Sequence, residues 1–144
     1  MQGYNLVVVF TPDLQSVLLC RRKKEPYLGL SNFVGGHIEA GENGYDAAYR
    51  ELFEETSITE KEIRLIHLMD FSYPLSDCYV EVYFGRLRET VTVEGDENEL
   101  YWSSPDRDFF DMSQFAGEGN MGHIMEQIKI NRNVLSPEKD TPHF

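Results

Sequence analysis

Residues 35–58 read GGHIEAGENGYDAAYRELFEETSI, and the reading of this stretch decides the fold. Residues 45–56 are good helix formers in which Ala47, Ala48 and Leu52 make an apolar stripe, so an amphipathic helix is predicted there, capped by Asn43 or Gly44. With about 100° between successive residues, Glu51, Glu54 and Glu55 project within an arc of roughly 100°, and three carboxylates share one face. Like charges at i, i+3 and i+4 repel by about a few tenths of a kcal/mol per pair, so something must offset the arrangement. Arg50 relieves part of it. A hard divalent cation relieves more: Mg²⁺, with Mn²⁺ as the alternative, takes carboxylate oxygens and keeps positions open for water and phosphate oxygens. Such an ion turns an acidic face into a dock for a di- or triphosphate. A glutamate cluster alone is commonplace on a surface helix; the spacing around this one gives it weight.

Working towards the N-terminus, residues 6–10 are a β-branched and aromatic run and residues 17–20 a second apolar run, with Thr11-Pro12-Asp13 supplying a turn between them. A β-hairpin is predicted. After basic residues 21–24 comes a Pro/Gly-punctuated loop to Ser31, then a strand-like piece at 32–38 broken by Gly35-Gly36. Towards the C-terminus, residues 63–69, 79–87 and 100–102 read as strands. Ser104-Pro105-Asp106 resembles a helix start leading towards Met112. Met121, Ile124, Met125 and Ile128 recur at i, i+3, i+4 and i+7, the stripe of a last helix packing on the sheet. Residues 1–135 are read as one domain and residues 136–144 as a fraying tail.

The whole chain agrees with one core: 144 residues and 41% hydrophobic content suffice for a single domain and fall short of two. The formal net charge of -12 repels nucleic-acid phosphates, so a nucleic-acid polymer is not expected as partner and a small-molecule nucleoside di- or triphosphate derivative is. No apolar run spans a bilayer and the start lacks signal-peptide features, which points to a cytoplasmic protein without membrane contact, either monomer or homodimer. Cys20 and Cys78 lie in no metal-ligand spacing and are read as reduced core thiols. His37 and His67 are read as scaffold side chains, His123 as a lesser candidate for substrate contact, His143 as part of the tail and Trp102 as core or lid.

Gly36, then five residues, Glu42, then seven, Arg50-Glu51-Leu52, one residue, Glu54-Glu55, one residue, Ser57 and Ile58: this spacing closely resembles the signature of the Nudix hydrolase family. The family has Gly where this chain has Ser57; every other fixed position matches. The resemblance implies an α/β fold, a Nudix-type α/β/α sandwich with a mixed sheet. It implies a Mg²⁺-dependent pyrophosphohydrolase in which Glu51, Glu54 and Glu55 ligate the metal and take part in catalysis, the Gly36 carbonyl completes the coordination, and Glu42 and Arg50 orient the ligands. Residues 17–39, VLLCRRKKEPYLGLSNFVGGHIE, look like the subgroup acting on purine nucleoside triphosphates, oxidised ones included, cleaved to monophosphate and pyrophosphate. Asn32 then meets the base and Arg22 the phosphates. A further carboxylate from a loop often joins this chemistry, and in VEGDENELYW, residues 93–102, Glu97 is favoured over Glu94 and Glu99. For the base edge, Asn5 in the first strand and Phe115, Glu118 and Asn120 in QFAGEGNMGH offer stacking and hydrogen bonds, Asn120 serving equally well as a helix cap. The alternatives are a hydrolase of a nucleotide-sugar or dinucleoside polyphosphate and a non-catalytic nucleotide-sensing module.

Overall fold

The first strand, β1 (Gln2–Phe10), explains why residues 6–10 are apolar without alternation: both its faces are covered. Val7 and Val9 face one hydrophobic cluster, Val8 and Phe10 the other. The computed structural model describes residues 1–136; the tail predicted to fray, with His143, lies almost wholly outside them.

Around β1 the sheet adds β2 (Val17–Arg21), β3 (Ser31–Asn32), β4 (His37–Ile38), β5 (Ile66–Tyr73), β6 (Cys78–Arg86) and β7 (Glu99–Ser103). The order is β3-β2-β1-β6-β5, with β4 paired to β1 and β7 to β2. β1 runs parallel to β6 from Gln2↔Cys78 to Phe10↔Arg86 and antiparallel to β2 and β4, which makes the sheet mixed. The predicted hairpin survives only at Phe10↔Val17, because beyond it β1 turns to β4 and β2 to β3 and β7. The strand-like piece at 32–38 breaks where foreseen: a Cβ on Gly35 would lie 2.0 Å from the Asn5 carbonyl oxygen, so only glycine lets the chain pass β1 so closely.

One helix covers each face. α1 (Gly44–Thr56) starts at Asn43, whose side chain accepts from the Asp46 N–H at 2.8 Å, and packs through Ala47, Ala48 and Leu52. α2 (Asn120–Ile130) packs through Met121, Ile124, Met125 and Ile128 against Phe33, Phe84, Phe109 and Phe115. Each fully buried side chain of this size contributes about 1.5–3 kcal/mol. The outcome is the expected α/β/α sandwich. Gly119, at φ 91°, occupies the cap position of α2; Asn120 is already helical and its amide donates to the Tyr73 hydroxyl instead.

Two predicted elements differ. The strand read at 63–69 lies at 66–73, with Ile63 keeping a lone bridge to Leu87 and a bulge between His67 and Met69. The helix read from Ser104 does not form. Side chains there capture the backbone donors a helix needs: Asp106 N–H goes to Ser104 Oγ (3.1 Å), Phe110 N–H to Asp108 Oδ1 (3.0 Å) and Ser113 N–H to Asp111 Oδ1 (2.9 Å). Both cysteines are free thiols, Cys20 buried and Cys78 half-buried.

Candidate active site

Gly36 sits against Glu51 so closely that a Cβ there would fall 2.3 Å from Glu51 Oε2. Its N–H donates to Asn5 Oδ1 (3.2 Å) and its carbonyl accepts from Asn5 N–H (2.8 Å), leaving one carbonyl lone pair. Asn5 is 1% exposed, and its Nδ2 is buried without a hydrogen-bond partner. Next along the turn, Gly35 N–H donates to Glu55 Oε2 at 3.4 Å. The glycine pair therefore brings backbone, rather than side chains, up to the acidic face of α1.

Arg50 organises that face. Its Nε and Nη2 clamp Glu42 at 2.7 and 2.8 Å, Nη1 reaches Glu51 at 3.0 Å and Glu54 at 3.2 Å, and Nη2 also donates to the His37 carbonyl at 3.0 Å. Hydrogen bonds from Arg50 hold the Glu42 carboxyl down at about 2. Glu55 moves the other way. Burial, then the charges of Glu51 and Glu97, push it up to about 7 against the pull of the Gly35 N–H and Arg22. Burial also raises Glu51, even though Arg50 pulls it down.

Across from the helix, the acidic loop closes a cavity of about 320 Å³ lined by Glu51, Glu54, Glu55, Ser57, Glu94, Gly95, Asp96 and Glu97. Glu97 stands there as expected. Glu94, weighed below Glu97 from sequence, and Asp96, not singled out at all, stand there too; the acidic run 94–99 was the available signal. Hard oxygen donors line one polar volume, and Arg50 bonds two of them, Glu51 and Glu54. This is the donor set that a small divalent ion needs.

The other candidates spread over several places. Arg22 is half-buried, donates to the Pro26 carbonyl (2.7 Å) and bears on Glu55 electrostatically. Asn32 stands opposite Cys20, its Oδ1 accepting from the Phe33 N–H at 2.8 Å. Phe115 is 2% exposed, packed 4.8 Å from the Phe109 ring with the Arg107 guanidinium 4.6 Å from its centroid, and offers no open face. Glu118 accepts from the Tyr27 hydroxyl at 2.8 and 2.9 Å, and Asn120 binds Tyr73, so two tyrosines that sequence did not single out partner these two residues. Only the fold brings those three segments together. Trp102 is half-buried against the α1-side cluster. Exposed His37 packs on Tyr4 and exposed His123 on Phe71. His67 bonds Asp70 at 2.6 Å beside Glu81, which accepts from Tyr83 at 2.6 Å, so each already has a protein partner.

Comparison with known proteins places these features in a family. The model described as NUDIX domain matches residues 2–124. The chain resembles Haemophilus influenzae NAD-capped RNA hydrolase NudC, at 29% identity over 117 residues, 73% of this chain and 43% of that protein; it thus spans less than half the length of the curated relatives it matches. Among solved structures, a Caenorhabditis elegans Ap4A hydrolase in a binary complex superposes with a TM-score of 0.73 at 18% identity, covering 92% of this chain and 98% of the other. A bifunctional NMN adenylyltransferase/ADP ribose pyrophosphatase from Francisella tularensis, complexed with AMP and a manganese ion, superposes with a TM-score of 0.70 at 20% identity, covering 90% and 41%. Among the described residues no helix is long and apolar enough to cross a membrane.

Proposed function

Since the chain belongs to the NUDIX domain family, we propose that it is a divalent-metal-dependent hydrolase of a phosphoanhydride bond in a purine nucleoside triphosphate, releasing monophosphate and pyrophosphate. The observation that carries this reading is the cavity in which Glu51, Glu54 and Glu55 face Glu94, Asp96 and Glu97. Its chemistry fits Mg²⁺ or Mn²⁺: the donors are hard oxygens, Gly36 carries no Cβ to collide with Glu51, and burial with like charge has pushed Glu55 to about 7. The residues that would hold the ion are Glu51, Glu54 and Glu55 with the free lone pair of the Gly36 carbonyl. Bound there, the metal supplies a lowered pKa for water and neutralises charge on the transferring phosphoryl group.

The chain's own residues then divide the work. Arg50 fixes the rotamers of Glu51 and Glu54 and is itself fixed by Glu42, so the ligands are oriented before substrate arrives. Glu97, across the cavity, adds its charge beside the ion and accepts the proton of the attacking water. Arg22 meets phosphate from the far end of β2. Asn32, Glu118 and Asn120 offer amide and carboxylate partners to a purine edge, with Tyr27 and Tyr73 beside them. Asn5 and Phe115 are interior and hold the frame instead.

A second reading, cleavage of a dinucleotide across its diphosphate, is favoured by the resemblance to NudC. A panel of nucleoside triphosphates, dinucleotides and nucleotide-sugars, incubated with Mg²⁺ or Mn²⁺ and resolved into products, separates the readings. Pyrophosphate from a purine triphosphate supports the first and two monophosphates from a dinucleotide the second. Tight binding without turnover of any of them contradicts both and leaves a sensing module.

A further inference from the structure

The acidic loop faces an acidic helix, and like charge drives the two apart. Residues 88–98 form no strand; Val91 and Val93 anchor the first half of the loop on the α1-side core, and Asn98 receives the Lys23 N–H at its end. The part beside the carboxylates is held differently, by the last turn of α1. Glu94 N–H donates to the Thr56 carbonyl at 3.0 Å, one of the acceptors that a helix end leaves free. Ser57 Oγ donates to the Glu94 carbonyl at 3.3 Å. Gly95 lies flat on the helix, for a Cβ there would be 2.0 Å from the Glu55 carbonyl oxygen, a backbone atom that cannot step aside.

Ser57 is also the one position where this chain departs from the spacing it otherwise matches. It sits at φ 69°, the left-handed conformation that glycine adopts readily and a side chain resists, with its N–H on the Phe53 carbonyl. The serine there, despite the strain, supplies what glycine lacks, the hydroxyl on Glu94. We propose that Ser57 and Gly95 are positioning residues: they dock the loop on the C-terminus of α1 and so hold Glu97 against the helix carboxylates in the geometry that receives the metal. The proposal rests on the hydrolase reading above and adds a device that the signature spacing does not specify.

The test is Mn²⁺ titration calorimetry and thermal unfolding on the whole chain, as wild type, Ser57→Gly, Gly95→Ala, Glu97→Gln and the Gly95→Ala/Glu97→Gln pair. Ser57→Gly is expected to raise the unfolding temperature of the metal-free protein, because strain is relieved, while weakening Mn²⁺ binding about threefold; a merely structural serine would move both together. Gly95→Ala is expected to weaken binding about tenfold or more, and the paired variant to be no weaker than Glu97→Gln alone, since both changes remove the same interaction. Wild-type affinity in Ser57→Gly overturns the proposal, whether or not Gly95→Ala folds, and so do additive effects in the pair. Absence of Mn²⁺ binding in the wild type removes the hydrolase reading itself, and the proposal with it.

Discussion

Against one face of the sheet lies α2, whose Met121, Ile124, Met125 and Ile128 are no more than 4% exposed and share a cluster with Phe33, Phe84, Phe109 and Phe115. Against the other lies α1, which buries two alanines and Leu52 and turns Glu51, Glu54 and Glu55 towards an acidic loop. Helix α1 contributes small side chains, close approach and crowded like charge; α2 contributes bulk and dispersion. On the proposed function, stability and chemistry fall on opposite sides of one sheet, and substitutions on the two sides should fail in different ways.

The sharpest way to separate the sides is Glu54→Gln. Glu54 is exposed, so its loss should leave thermal unfolding nearly unchanged while turnover falls about a thousandfold in a product-release assay. Ile124→Ala should do the converse. It removes a fully buried side chain and is expected to lower stability in a urea titration by about 2–5 kcal/mol, with Mn²⁺ affinity of the folded protein unaltered.

A pH series sharpens the contrast within the acidic face itself. Glu55 is raised from 4.5 to about 7, so in the metal-free protein its contribution to stability is complete below about 4.5 and is lost as pH rises through 7, on the order of 3 kcal/mol. Glu42 has the opposite sign: held at about 2, it stabilises above 4.5 and that support goes as pH falls through about 2. Unfolding free energies of Glu55→Gln and wild type between pH 4 and 8, without metal, should therefore diverge with rising pH. The smallest effect is local. Asn43→Ala removes the cap of α1 and is expected to cost about 1 kcal/mol in the same titration while leaving α2 untouched.

Spacing made α1 and its carboxylates legible, because charges at i, i+3 and i+4 fall on one face whatever the surroundings. The α2 stripe was legible for the same reason, and β1 because a strand covered on both faces is apolar throughout. What stayed hidden depends on contacts between distant segments. Nothing local marks Tyr27 as the partner of Glu118, or places Asp96 in the cavity that Glu54 lines. The bulge after His67 moved a strand that apolar content alone placed too early. At 104–112 the helix-start pattern was present, but Ser104, Asp108 and Asp111 took the backbone donors for themselves.

On the proposed function, crowded carboxylates on α1 are an energetic burden that a divalent ion relieves. Thermal unfolding of wild type and Glu55→Gln at pH 7.5, with and without Mn²⁺, tests it most directly. The metal-free variant is expected to melt above the metal-free wild type, and Mn²⁺ to raise the wild type more than the variant. An unfolding temperature of the wild type that Mn²⁺ does not move, or that moves equally in both proteins, would contradict it.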